Sequence, residues 1–204
     1  MFALVNKEDN SITKILNGIK GITIGENQYP QSIFSLWSES ERNAIDIYTI
    51  EIDNSKFKDK KWYINTDITY SFDGSNAKGS YGDATAKAHA DTKWTQEDED
   101  NGLGTKDDIK EEGLKTRLIR TIKEQAESQL NKTDWYVTRK AEKNTAIPSA
   151  ISTHRDAVRS KQAEMETAIT NASDTPALET LYTYTIQEDG SVTRPIGEIP
   201  RLED

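Results

Sequence analysis

The stretch that decides the fold is TDWYVTRKAEKNTAIPSAISTHRDAVR, which runs from Thr133 to Arg159. Its first half predicts a short helix carrying two aromatic residues, because Asp134 can accept hydrogen bonds from the free N–H groups of a helix start. Its second half predicts a turn and then a long helix with Pro148 at the first helical position, where a missing N–H does no harm. The stretch therefore predicts a helical elbow.

Apolar residues on both sides of this elbow follow a helical period. On the N-terminal side, a helix predicted to begin near Thr105 carries one apolar stripe. The stripe is formed by Leu114, Leu118, Ile122, Ala126 and Leu130. On the C-terminal side, apolar residues recur every seven positions, at Ile151, Val158 and Met165. Two long helices joined by a short elbow predict an antiparallel helical hairpin.

Seven residues are the candidates for packing this hairpin and elbow, or for forming its interface with a partner. They are Leu118, Ile122, Trp135, Tyr136, Ile147, Val158 and Met165. Aromatic residues are more often core residues than binding anchors, but they are also the residues that dominate protein interfaces. Both interpretations stay open for Trp135 and Tyr136.

The N-terminal part, residues 1–94, predicts a β-rich module. Residues 45–52 alternate as a half-buried strand does, and residues 62–72 form a second β run that ends at the turn dipeptide Asp73-Gly74. Ser38 and Glu41 have the spacing of a capping box and predict a short helix to Ala44. Residues 77–90 fit either a strand or a helix.

Three further segments complete the predicted organisation. Residues 95–105 contain the acidic run Glu97 to Asp100 and predict a linker or exposed loop, since like charges repel and stay solvated. Residues 106–183 form the helical hairpin module, with a last short helix starting at Pro176, and residues 184–204 form an extended C-terminal tail. The fold class predicted is α+β, with a β-rich N-terminal module followed by a C-terminal helical hairpin module.

Composition argues against several classes of partner and of chemistry. The formal net charge of −9 argues against nucleic acid as a partner, because phosphate binding needs a basic face. No apolar run approaches the roughly 18 residues of a membrane span, and no leader-like segment is visible, so we expect no membrane partner. The absence of cysteine removes disulfides and thiolate chemistry, and fits folding in a reducing cytosol.

No catalytic, cofactor-binding or metal-binding site is predicted. The acidic run fails the calcium-loop pattern, since Leu103 and Ile109 stand where that pattern requires glycine and glutamate. The two histidines, His89 and His154, lie in unrelated contexts and are expected to be structural or surface residues. We therefore expect a protein that is not an enzyme and uses no cofactor.

The elbow region resembles the C-terminal region of tailed-bacteriophage tail fibre assembly and tail assembly chaperone-like proteins. The resemblance is carried by Asp134 to Glu142, by Ile147-Pro148 and by the run from His154 to Arg159, within a region from Thr133 to Ile169 that covers about a fifth of the chain. His154 stands where the family more often has tyrosine, and residues 53–105 lie outside the resemblance.

The resemblance implies a non-enzymatic phage tail protein, either a structural component or an assembly chaperone, acting through protein–protein contacts. Its expected partners are other tail or fibre proteins, and a homo-oligomer stays open. Such a chain would be made in the host cytoplasm and, if structural, kept in the virion tail. Two alternatives remain: a glycan- or receptor-binding module, for which the β-rich half would suffice, and a polysaccharide-degrading module, supported only by scattered aromatics and carboxylates.

Overall fold

The computed structural model describes residues 1–202. It confirms the predicted α+β class, with a β-rich N-terminal part and helices in the C-terminal part. The chain divides into two compact units, one from Met1 to Thr85 and one that begins at Ala86.

The elements of the first unit follow one another as short strands interrupted by two short helices. They are β1 (Phe2–Asn6), β2 (Ser11–Leu16), β3 (Ile22–Ile24), β4 (Asn27–Tyr29), α1 (Ile33–Leu36), α2 (Glu39–Asn43), β5 (Ile47–Asp53), β6 (Tyr63–Ile64), β7 (Ile68–Phe72), β8 (Ala77–Tyr81) and β9 (Thr85–Ala86), the last of which includes the first residue after the unit boundary.

Five of these strands form one sheet in the order β2-β1-β5-β8-β7. The neighbouring strands pair antiparallel, except that β5 and β8 are parallel. Strands β1 and β2 form a hairpin, and a second hairpin joins β7 to β8 across the predicted turn at Asp73-Gly74. The segment that sequence left undecided, residues 77–90, begins as strand β8 and contains no helix.

Both faces of this sheet are apolar, because successive residues of a strand point to opposite sides. Ala3, Val5, Tyr48, Ile50, Phe72 and Ala77 form a core on one face. Leu16, Ile22, Ile33 and Ile47 form a core on the other face, where Phe2 and Phe34 pack against them. The capping box predicted at Ser38 and Glu41 is confirmed and starts α2.

The second unit is mainly helical. Its elements are β10 (Thr92–Lys93), α3 (Gln96–Asp100), β11 (Ile109–Glu111), α4 (Leu114–Asn131), α5 (Asp134–Lys143), α6 (Ser149–Asn171), α7 (Thr175–Tyr182), β12 (Thr185–Ile186) and β13 (Val192–Thr193). None of the helices in residues 1–202 is long and apolar enough to cross a membrane.

Helices α4 and α6 form the antiparallel hairpin that the two stripes predict. Near one end, Nζ of Lys115 at the start of α4 donates to the carbonyl of Thr170 at the end of α6, at 2.8 Å. Near the other end, Arg155 in the first third of α6 reaches the carbonyl of Leu130 at the end of α4, at 2.8 Å. Ile122, Ala126, Val158, Met165 and Ile169 are buried along these helices.

The start of the first long helix differs from the prediction. Helix α4 begins at Leu114, not near Thr105, and residues 109–111 form β11, which pairs with β10. The free N–H groups in the first turn of α4 donate to carbonyl groups of an earlier segment of the chain. The N–H of Leu114 donates to Ala88 O at 2.9 Å, and the N–H of Lys115 donates to His89 O at 3.0 Å.

The acidic run and the tail also differ from the interpretation given by sequence. The acidic residues lie in α3, where Thr95 and Asp98 form a capping box and the carboxylate of Asp98 accepts the N–H of Thr95 at 2.9 Å. The C-terminal segment contains the β12–β13 hairpin and buries Ile196 and Ile199 beyond it, so it is packed and not simply extended.

Candidate functional site

The elbow helix α5 is fixed at its start by one arginine from α6. Nη1 of Arg155 lies 2.8 Å from the carbonyl oxygen of Leu130, 2.7 Å from Oγ1 of Thr133 and 2.8 Å from Oδ1 of Asp134. Arg155 and Thr133 are buried. We call this arrangement the Arg155 clasp. It ties the end of α4, the turn and the start of α5 to α6.

The clasp changes the role assigned to Asp134. Sequence predicted Asp134 as the N-cap of the elbow helix, but the N-cap position is Thr133, whose side chain makes no capping bond. Asp134 is the first helical residue, and its carboxylate forms an ion pair with Arg155. The ion pair therefore joins the two halves of the stretch from Thr133 to Arg159, because Asp134 lies in the first half and Arg155 in the second.

Helix α5 presents Trp135 to solvent, while Tyr136 and Arg139 on the same helix are half-buried. Trp135 is 52% exposed and Val137 is 42% exposed, and none of the residues of α5 is buried. The ring centroids of Trp135 and Tyr136 are 4.0 Å apart. The guanidinium carbon of Arg139 lies 4.6 Å from the Trp135 ring centroid and 5.5 Å from that of Tyr136. We call Trp135, Tyr136 and Arg139 the elbow surface.

The seven residues predicted for hairpin packing or interface separate into three groups. Ile122, Val158 and Met165 are buried in the hairpin. Leu118, Tyr136 and Ile147 are half-buried. Trp135 lies at the surface. The structure therefore places three of these residues in the hairpin core and Trp135 on an accessible face of α5.

Sequence reasoning missed Arg155 and Thr133. The signal for Arg155 was present, because it lies three residues before Val158 and so falls on the apolar stripe of α6. A charged residue on such a stripe needs a buried partner. Its partners lie more than twenty positions away in the chain, so spacing alone could not identify them.

The acidic and histidine residues weighed for metal or catalytic roles do not converge. Within residues 1–202, groups of three or more histidine, aspartate or glutamate side chains that could hold a metal ion are absent. Hydrogen bonds from the N–H and hydroxyl of Thr95 lower the pKa of Asp98, whose carboxylate also lies 3.4 Å from Nζ of Lys110. This carboxylate is thus engaged in capping α3.

Contacts within the second unit also shift the pKa values of Asp91 and Tyr182. The hydroxyl of Thr116 and the N–H of Gly113 each donate to the carboxylate of Asp91 at 2.7 Å, and they lower its pKa. Burial raises the pKa of Tyr182 to about 12, against the opposing effect of the nearby Arg194 guanidinium. The Asp91 contacts stabilise the start of α4.

Comparison with known proteins found no family model, no curated protein and no solved structure that matches this chain. The elbow surface and the clasp that holds it are therefore the features of this chain from which a function can be proposed.

Proposed function

We propose that this chain is a non-enzymatic bacteriophage tail protein, a tail-fibre-associated structural or assembly component, which binds a tail or fibre protein through the elbow surface. The observation that carries the proposal is the surface group of exposed Trp135 with half-buried Tyr136 and Arg139, on a helix anchored by the Arg155 clasp.

The residue types of this surface support protein binding. Tryptophan, tyrosine and arginine are the residues most enriched among those that contribute most to interface affinity. Because the rings and the guanidinium already stack on one another, less side-chain entropy is lost when a partner covers them. The clasp adds to this pre-organisation by holding the start of α5 against α6.

The phage tail assignment comes from the resemblance, and the clasp joins residues from both halves of the resembling stretch. The resembling residues include Asp134, Trp135, Arg139 and Arg155, which form the ion pair and part of the exposed surface. A motif that builds and presents one surface is what a contact-dependent role requires.

Binding can be tested with the tail and fibre proteins of the phage that carries this chain. The tagged chain is co-expressed with each of them and co-purified, and the affinity of any complex is measured. Trp135→Ala is expected to weaken the complex at least about tenfold, as loss of an interface anchor does. Leu36→Ala removes a side chain that is 79% exposed in the first unit and is the matched control.

A complex with none of these proteins, or a complex unaffected by Trp135→Ala, would contradict the proposal. Mass spectrometry of purified virions then separates its two forms. A fixed stoichiometry in the virion identifies a structural component, and absence from a virion whose assembly needs the chain identifies an assembly factor.

A further inference from the structure

A groove of about 700 Å³ lies beside the C-terminal end of β2 in the first unit. It is lined by Met1, by residues 14–18 and by residues 20–23, and we call it the β2 groove. Strand β2 is an edge strand of the five-stranded sheet, so one side of its backbone is not hydrogen-bonded to another strand of that sheet.

The backbone directions in β1 follow from its bonds on the other side. The N–H of Val5 donates to Asp46 O and the N–H of Ile50 donates to Met1 O, both at 3.0 Å, so the odd-numbered residues of β1 face β5. Because successive backbone groups of a strand alternate in direction, Phe2 and Leu4 face β2.

The pairing of β1 with β2 then identifies the free group of β2. Phe2 is opposite Leu16 and Leu4 is opposite Lys14, so Lys14 and Leu16 direct their backbone groups at β1. Ile15 lies between them, and its N–H and C=O point outward from the sheet edge. Ile15 lines the β2 groove, and its side chain is 38% exposed.

The charge of the β2 groove is positive in a chain whose net charge is −9. Lys14 and Lys20 line it, both are exposed, and neither forms an ion pair with another residue in the described part of the chain. The described lining residues include no aspartate or glutamate. A lysine on an edge strand discourages pairing with a purely apolar strand. It favours a strand that carries carboxylates.

We propose that the β2 groove binds an extended, acidic segment of a partner protein, which adds to the sheet as a strand beside β2. Its backbone would pair with the N–H and C=O of Ile15, and its carboxylates would lie near Lys14 and Lys20. Main-chain bonds provide affinity in this mode of recognition, and side-chain contacts provide specificity. This surface lies in the first unit and does not depend on the elbow surface.

A second copy of this chain is a poorer occupant. Two-fold pairing of β2 with itself would bring Lys14 and Lys20 of both copies to one groove, where like charges repel. Charge complementarity therefore favours the acidic segment of a different protein.

The test uses the full chain and a fluorescent peptide of eight residues in which aspartate and valine alternate. Saturable binding is expected by fluorescence anisotropy, and the same peptide with lysine in place of aspartate should not bind. Ile15→Pro removes the outward N–H, at a sheet edge where proline is tolerated, and should weaken binding at least about tenfold. Ile15→Val keeps the N–H and is the matched control. Lys14→Gln with Lys20→Gln should weaken binding by about threefold to tenfold, the effect of two exposed charge pairs.

Should Ile15→Pro disturb folding, judged by its thermal unfolding, two N-methylated peptides give the same information with the unaltered protein. Methylation of one alternate set of amides should abolish binding, and methylation of the other set should not. Equal binding of both peptides would show attraction by charge alone and overturn the proposal. So would the absence of saturable binding up to about 1 mM, a free energy of only about −4 kcal/mol. Dimerisation that Ile15→Pro abolishes would assign the edge to a second copy and would overturn it as well.

Discussion

Arg155 is the residue on which the geometry of the elbow depends most. Its guanidinium is buried and lies within hydrogen-bond distance of oxygens from the end of α4, the turn and the start of α5. Asp134, its ion-pair partner, is about half exposed, so the pair is only partly removed from water. The clasp is thus stabilised mainly by charge-assisted hydrogen bonds made by one buried cation.

Replacing Arg155 by methionine is expected to reduce the free energy of unfolding by about 2 kcal/mol. Methionine keeps most of the apolar stem but removes the hydrogen bonds made by a charged donor, which are worth about 1.5–3 kcal/mol. Urea denaturation followed by circular dichroism measures the change. Arg159→Met is the matched control, because Arg159 lies one turn later on α6, is half exposed and, among residues 1–202, forms an ion pair with Asp156 at 3.3 Å. Equal midpoints for the two variants would contradict the structural role of the clasp.

Helix α4 shows how an element can depend on a distant segment. Residues 88–91 satisfy the N–H groups of its first turn through the carbonyls of Ala88 and His89 and the carboxylate of Asp91. Gly113 stands at the N-cap, where an added Cβ would lie 2.4 Å from the backbone carbon and oxygen of Ala90. Glycine is required here by the close approach of two backbones.

Gly113→Ala is therefore expected to reduce the free energy of unfolding by more than about 2 kcal/mol, since the capping segment must move and buried N–H groups lose their acceptors. Thermal and urea unfolding measure the loss. Gly102→Ala is the control, because Gly102 has a φ of +71° but nothing within 4 Å of an added Cβ. Gly102→Ala should reduce the free energy of unfolding by only about 1 kcal/mol, the cost of placing alanine in the left-handed region. A smaller loss for Gly113→Ala than for Gly102→Ala would contradict this account of the helix start.

The elements that sequence predicted well are those with a local signal. The apolar stripes of α4 and α6, the capping box of α2 and the Asp73-Gly74 turn each depend on residues a few positions apart. The start of α4 and the Arg155 clasp could not be predicted, since their hydrogen bonds join residues more than twenty positions apart. Trp135 was identified as a candidate, but the sequence could not decide between packing and exposure.

At the scale of the molecule, the unit boundary also depends on long-range bonds. Sequence placed the end of the β-rich module at residue 94, whereas the compact units divide between Thr85 and Ala86. The local pattern of residues 77–90 did not decide between strand and helix, and the strand β10 forms just after it. Yet residues 88–91 cap α4, so the segment belongs to the helical unit.

The free energy of unfolding is expected to decrease at acid pH, because carboxylates accept hydrogen bonds at turns and helix starts in both units of the chain. Asp9, Glu41, Asp53, Asp73, Asp91, Asp98 and Asp189 all have a pKa lowered by such bonds in the folded state. Their unfolded values are about 3.9 for aspartate and 4.3 for glutamate. The unfolded chain therefore binds more protons at acid pH, and the stabilisation is present above about pH 4 and is lost as pH falls through the folded values.

Asp91 offers the sharpest test of this dependence. The hydroxyl of Thr116 is the main cause of its lowered pKa, followed by the N–H of Gly113. Thr116→Val removes the hydroxyl, so it should lower the urea midpoint at pH 7 and flatten the fall in stability between pH 5 and 3, as Asp91→Asn also should. Thr116→Ser keeps the hydroxyl and should follow the unaltered protein. At the lowest pH, the urea midpoints of Thr116→Val and Asp91→Asn should approach that of the unaltered protein, because protonation of Asp91 has already weakened the same hydrogen bonds. If Thr116→Val lowers stability equally at every pH, the hydroxyl contributes only packing, and the carboxylate of Asp91 is not what makes this helix start sensitive to acid.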